Sequence, residues 1–176
     1  MSMQRIAVIG CPGSGKTTFC NTLGKALGRD VVHLDKVLWA SNWQMIPFAE
    51  RKQIHDQLIL GEQWIIDGMW RSHLADRLQR ATLVIFLDYK SSVCMWRATL
   101  RHLKNLHKQR PDIAQGCVEK HDKDFSNYIK TFNKNVRPFI LSQLQQTNAQ
   151  VVILSTPRQA KKYLQQLINQ NCNKPN

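Results

Sequence analysis

Residues Arg5–Ile9 form a short β-branched apolar run, and Gly10-Cys11-Pro12-Gly13-Ser14-Gly15-Lys16-Thr17 follows it directly. Lys16–Leu27 then has helix-forming composition and stops at Gly28. A buried strand, a glycine-rich turn closing on Gly-Lys-Thr, and a helix form the context in which the pattern GxxxxGK[ST] cradles a phosphate. The residue types have physical reasons. Gly10, Gly13 and Gly15 permit a backbone path whose N–H groups point inward, and the helix adds its positive N-terminal end. Lys16 can reach β- and γ-phosphates, the Thr17 hydroxyl can ligate Mg²⁺, and Thr18 can bond an α-phosphate. Cys11, Pro12 and Ser14 complete the loop. No nearby sequence feature supplies a base for Cys11, which reads as a small loop residue.

Such a loop requires a strand buried on both faces, and the rest of the chain supplies companions for it. Val31–Asp35, Trp64–Gly68, Thr82–Asp88 and Val151–Leu154 are short apolar runs of the same kind. Between them the pattern predicts helices over Lys16–Leu27, Pro47–Leu60, Val93–His107 (capped by Ser91), Asp122–Asn135, Pro138–Gln146 and Arg158–Ile168. Strands alternating with helices imply an α/β fold: a five-stranded parallel sheet with helices on both faces. The chain has 176 residues with 43% apolar content, which suits one domain with a real core. No run is long enough to span a bilayer, and the N-terminal apolar stretch is too short for an export signal. Five cysteines without a CxxC then read as reduced thiols in a cytoplasmic protein.

The net charge is +13, which calls for an anionic partner. From Lys90 to Arg137 there are 11 Lys or Arg against 4 Asp or Glu, a surplus of 11 − 4 = 7. Arg97, Arg101, Lys104 and Lys108 share one helical face. That stripe can close over a triphosphate or track a nucleic-acid backbone, and for Lys104 and Lys108 a solvated face is the simpler reading. No helix-turn-helix, zinc finger or aromatic-interleaved basic strand accompanies it. His102, His107, Cys117 and His121 match no standard zinc spacing.

Asp67 ends an apolar strand, where it can hold Mg²⁺ or a Mg²⁺-bound water, or can simply close a turn. No Glu follows it, so the water-activating carboxylate of motor-type ATPases is missing there. Asn133-Lys134 is followed by Asn135-Val136 and Asp67-Gly68 gives no DxxG, which disfavours a GTPase. A phosphate-loop protein without hydrolytic apparatus points to phosphoryl transfer to another acceptor.

The stretch Asp67-Gly68-Met69-Trp70-Arg71 resembles the DGxxR segment of adenylate kinase-like enzymes. More closely, GCPGSGKTTF (10–19), VVHLDKVLW (31–39), WIIDGMW (64–70), IFLD (85–88), RPDIAQGC (110–117) and Arg137-Pro138, in that order, resemble the DNA topology modulation proteins, described as adenylate kinase-like ATPases. The resemblance runs from about Ile6 to Leu167. It implies strand order 2-3-1-4-5, ATP as phosphoryl donor, and a basic helical lid over about 93–137. It places Arg97 and Arg101 at the start of that lid. It supplies no acceptor, since the segment of about 36–63 does not match the AMP-binding region of true adenylate kinases. Similarity to small-metabolite kinases of this fold makes Asp35 a candidate to orient or deprotonate an acceptor hydroxyl, with a helix N-cap as the equal alternative. Trp39 and Trp43 could stack on a flat acceptor or pack as core. Arg71 is the candidate for an anionic acceptor group, and Arg137 for phosphate. The expectation is a MgATP-dependent small-molecule kinase, against a nucleotide-switched DNA-associated protein or a slow ATPase.

Overall fold

The computed structural model describes residues 3–105, 112–117 and 123–172. Seven strands and eight helices are defined among them: β1 (Arg5–Gly10), α1 (Lys16–Leu27), β2 (Val31–His33), α2 (Leu34–Val37), β3 (Trp39–Ala40), β4 (Gln44–Met45), α3 (Phe48–Leu60), β5 (Trp64–Asp67), α4 (Leu74–Arg80), β6 (Leu83–Leu87), α5 (Ser91–Lys104), α6 (Lys123–Asn135), α7 (Arg137–Leu144), β7 (Gln150–Leu154) and α8 (Pro157–Cys172).

The main sheet has the order β2-β5-β1-β6-β7, and all its pairings are parallel. Counted without the small antiparallel pair β3-β4, this is the expected 2-3-1-4-5. Ile6–Ile9, Ile65, Ile66 and Val84–Phe86 are completely buried, so the three central strands β5, β1 and β6 are covered on both faces, while the edge strands β2 and β7 are part-exposed. The helices α1 and α8 pack together, as do α4 and α7, and α5 and α6. Strand order reverses about β1, and in open sheets of this kind ligands bind outside the carboxyl ends of the strands at such a point. Gly10, His33, Asp67 and Leu87 end their strands at that edge.

Several predicted boundaries shift for identifiable reasons. Val31–Asp35 is not strand throughout: Leu34 starts the short helix α2, so Asp35 lies on its first turn, with His33 as the N-cap. Ser91 is not the cap of α5. Lys90 takes that position, and Ser91 Oγ faces Asn133 Oδ1 on α6 at 3.0 Å. Gly28 does end α1 in a left-handed conformation, and Arg29 N–H reaches back to the Gly24 carbonyl at 2.9 Å.

A satellite cluster stands apart from the main core. Ile113, Ala114 and Cys117 pack with Trp39 and Trp43. The two indoles meet edge to face at 5.8 Å. The Cys117 thiol donates to the Ala40 carbonyl at 3.2 Å and accepts from Trp43 N–H at 3.4 Å, and Asn42 N–H donates to the Gly116 carbonyl at 3.2 Å. Both tryptophans pack against this cluster and remain part-exposed. Cys117 is buried in the same clasp. His107 and His121, named with it above, and Lys108 of the basic stripe lie outside the described residues.

Candidate active site

The loop between β1 and α1 is held open by its glycines and pressed from above by α5. Gly13 has φ +81°, and a Cβ there would overlap the Cys94 carbonyl. Gly15 has φ +94°, and a Cβ there would stand 2.9 Å from an Arg97 guanidinium nitrogen. Arg97 therefore lies directly over the loop. The Lys16 ammonium donates to the Cys11 carbonyl at 3.2 Å, closing the loop on itself. Ser14 is buried, while Thr18 is exposed on the first turn of α1. Cys11 is buried against Cys94, and their hydrogen bond together with burial pushes the Cys11 thiol up. Held protonated, it is no nucleophile.

Asp67 is the hub of the site. Its Oδ2 accepts from the Thr17 hydroxyl at 2.8 Å and lies 2.9 Å from His33 Nδ1. His33 Nε2 faces Asn21 Oδ1 at 3.0 Å, so α1, β2 and β5 are joined through one carboxylate. Oδ1 of the same carboxylate is buried and has no hydrogen-bond partner. A buried carboxylate oxygen left bare beside a threonine hydroxyl suits a hard cation with oxygen ligands, and Mg²⁺ fits these residues. Arg77 lies behind this hub with its side chain wholly buried, donating to the Gly68 carbonyl at 3.1 Å. Burial pushes its guanidinium down to about 10, with the Asp67 charge opposing, so it stays a cation at neutral pH.

A second set of polar groups centres on α6. The Tyr128 hydroxyl on α6 is pushed up, by burial first, and Cys11, Arg71 and Asp35 all act on it electrostatically. Groups of the loop, α2 and the turn after β5 thus lie within electrostatic range of α6. Arg71 is exposed and its guanidinium lies 4.9 Å from the Phe139 ring centroid. Arg101 stands one turn beyond Arg97 on α5. Arg137, the candidate for phosphate, is part-exposed and paired with Asp88. Its Nε donates to both Asp88 oxygens, at 2.9 and 3.0 Å, fastening α7 to the end of β6.

The structure thus brings together Gly10–Thr17, Asp67 and Arg97, sets Asp35 and Arg71 within electrostatic range of Tyr128, packs Trp39 with Trp43 and Cys117, and pairs Arg137 with Asp88. Sequence reasoning missed His33, Arg77 and Tyr128. For His33 a signal existed in its position at the strand end. Its pairing with Asp67 depends on the register of β2 against β5.

No protein-family model matches the chain, and no curated protein matches it in sequence. Solved structures do match. A shikimate kinase from Acinetobacter baumannii in complex with shikimate superposes with a TM-score of 0.65 at 17% identity, over 98% of this chain and 97% of that one. A shikimate kinase from Bacteroides thetaiotaomicron gives 0.58 at 20% identity, over 96% and 98%. A deoxyadenosine kinase from M. mycoides with bound dATP gives 0.52 at 13% identity, over 93% and 98%. With the parallel sheet, its strand order and the loop at the end of β1, these likenesses establish that the chain has the P-loop kinase fold.

Proposed function

We propose that the protein is a MgATP-dependent phosphotransferase acting on a small hydroxyl-bearing acceptor. The single observation that carries this reading is the bare, buried Asp67 Oδ1 beside Thr17 at the mouth of the Gly10–Thr17 loop, with Arg97 above it. The loop N–H groups and the start of α1 would hold the phosphates. Lys16 would exchange its bond to the Cys11 carbonyl for the β/γ-oxygens, and Arg97, with Arg101 behind it, would stabilise the charge on the moving phosphoryl group. Thr17 and Asp67 would hold Mg²⁺, which neutralises phosphate charge when bound. His33 orients Asp67 from the far side. Across the cleft Asp35 would orient or deprotonate the acceptor hydroxyl, and Arg71 would take an anionic group on the same molecule. A hydroxyl acid such as shikimate has both features, and a nucleoside or nucleotide offers related ones. The deciding experiment is ADP formation from MgATP against a panel of hydroxyl acids, nucleosides and nucleotides. Turnover with none of them above the acceptor-free rate counts against the reading.

Asp35→Asn separates binding from chemistry. Asn keeps the shape and removes the basicity, so ATP affinity stays nearly constant while acceptor-dependent kcat falls by roughly 10²-fold or more. Retained turnover with a lowered Tm would make Asp35 a structural residue of α2.

The second reading, a nucleotide-switched protein on DNA, is favoured by the +13 charge and the α5 stripe. Arg97→Ala and Arg101→Ala discriminate the two. In a kinase they lower kcat more than they raise the KM for ATP. In a DNA-associated protein each weakens DNA binding uniformly across sequences and flattens its salt dependence by about one charge. We expect the first pattern, because Arg97 is committed to the loop.

A further inference from the structure

A second set of ligand-type side chains lies on α3 and the turn after β5. The His55 side chain is completely buried; among the described residues its Nε2 has no hydrogen-bond partner and its Nδ1 is approached only by Asp56. His73 is 4% exposed, and its Nε2 is likewise without a partner. The two rings stand 5.3 Å apart. Asp56 Oδ1 is 3.6 Å from His55 Nδ1, beyond hydrogen-bond reach. One ligand atom from each of His55, Asp56 and His73 can be chosen so that all three lie within 4.8 Å of one another. Two buried imidazole nitrogens, His55 Nε2 and His73 Nε2, are left bare in one place, and His55 Nδ1 has only the Asp56 carboxylate at 3.6 Å. Each bare nitrogen is costly, since it forgoes the bond it would make to water. Packing against Trp70 explains why the rings are buried and leaves their nitrogens unexplained.

We propose that His55, Asp56 and His73 form a site for a divalent transition-metal ion of the zinc class, with Asp76 as the positioning carboxylate. Two imidazoles and one carboxylate are a donor set suited to that class, and a fourth position is left for water. Asp76 Oδ2 lies 3.4 Å from His73 Nδ1. A carboxylate there keeps the proton on Nδ1 and leaves the Nε2 lone pair for the ion. Tetrahedral ligands at zinc distances stand about 3.4 Å apart, so the three must draw together on binding. Asp56 supplies the movement. Its side chain is 43% exposed, and its ion pair with Lys52 at 2.5 Å joins two solvent-facing groups, so releasing it costs little.

The charges around the site set its strength. Arg51 lies over the Trp70 ring, and the buried Arg77 acts electrostatically on His55, so both oppose a cation. Asp56 and Asp76 offset them. With three protein ligands and no thiolate, affinity is expected to fall below that of structural cysteine sites. The ion would tie α3 to the turn that carries Arg71, two residues before His73. None of this depends on the kinase reading.

The probe is Co²⁺ alone, titrated without nucleotide into the full chain stripped by chelation. One equivalent should produce the strong visible bands of tetrahedral cobalt, Zn²⁺ should erase them, and Zn²⁺ should raise the Tm. Asp56→Asn, at a part-exposed position that tolerates the change, should lose both the bands and the Tm shift, as should His73→Gln if it folds. Thr17→Val should keep both. Wild-type protein without bands or shift overturns the proposal. So does Asp56→Asn indistinguishable from wild type, or bands lost in Thr17→Val, which would place the ion at the phosphate loop.

Discussion

Lys16→Ala is expected to keep the fold and to abolish the phosphoryl transfer proposed above. The side chain is part-exposed at the loop mouth and its one bond in the structure goes to the Cys11 carbonyl, so little packing is lost with it. What disappears is the charge offered to the β/γ-oxygens. By analogy with other preorganised electrostatic donors this raises the barrier by roughly 3–4 kcal/mol, or a few hundred-fold in kcat. Purified Lys16→Ala with wild-type Tm and wild-type turnover would remove the loop from the mechanism.

Arg77→Ala has the largest expected effect on stability. The side chain is entirely buried, and its Nη2 holds the Gly68 carbonyl at the turn after β5. Its Nε and Nη1 have no partner, so the guanidinium is already held at a cost. Truncation leaves a cavity, an unpaired carbonyl, and Asp67 without the positive charge behind it. Together these should cost about 3–5 kcal/mol, read as a fall in Tm of roughly 10 °C. Arg77→Leu fills most of the volume without the charge. It should recover a large part of the stability while leaving Mg²⁺-dependent nucleotide binding perturbed. A loss under about 1 kcal/mol in Arg77→Ala would contradict the burial described here.

The contrast between Arg77 and Asp67 shows what a sequence discloses. The loop Gly10–Thr17 announces itself because phosphate binding needs particular residue types at fixed spacing within one short segment. The five main strands are legible because strands buried in a parallel sheet demand continuous apolar runs, and each expected run overlaps an observed strand. Helix α4 was not anticipated. Its seven residues, Leu74–Arg80, span two turns and include three charged side chains, and nothing in their composition says that one arginine points inward. Asp35 was expected at a strand end and lies on a helical turn, because Leu34 turns into the core where alternation would have continued the strand. Hub contacts such as His33 with Asp67 join residues 34 positions apart. They are fixed by the register of parallel strands, which a linear reading does not contain.

The clasp between Trp39–Trp43 and residues 112–117 has a thermodynamic consequence. Residues about 75 positions apart share hydrogen bonds and a small apolar cluster there. One side of the clasp follows Asp35 in the chain. The other lies in the segment running from α5, which carries Arg97, to α6, which carries Tyr128. Under the proposed function, a ligand that orders the first side acts on the second through these shared bonds. Linkage is reciprocal, so a donor that tightens the acceptor site by some factor is itself tightened by that same factor when the acceptor binds first. The two substrates should therefore bind with synergy: the dissociation constant of each, measured at saturating levels of the other, should fall below its value alone, and the binding cycle should close to a single coupling factor.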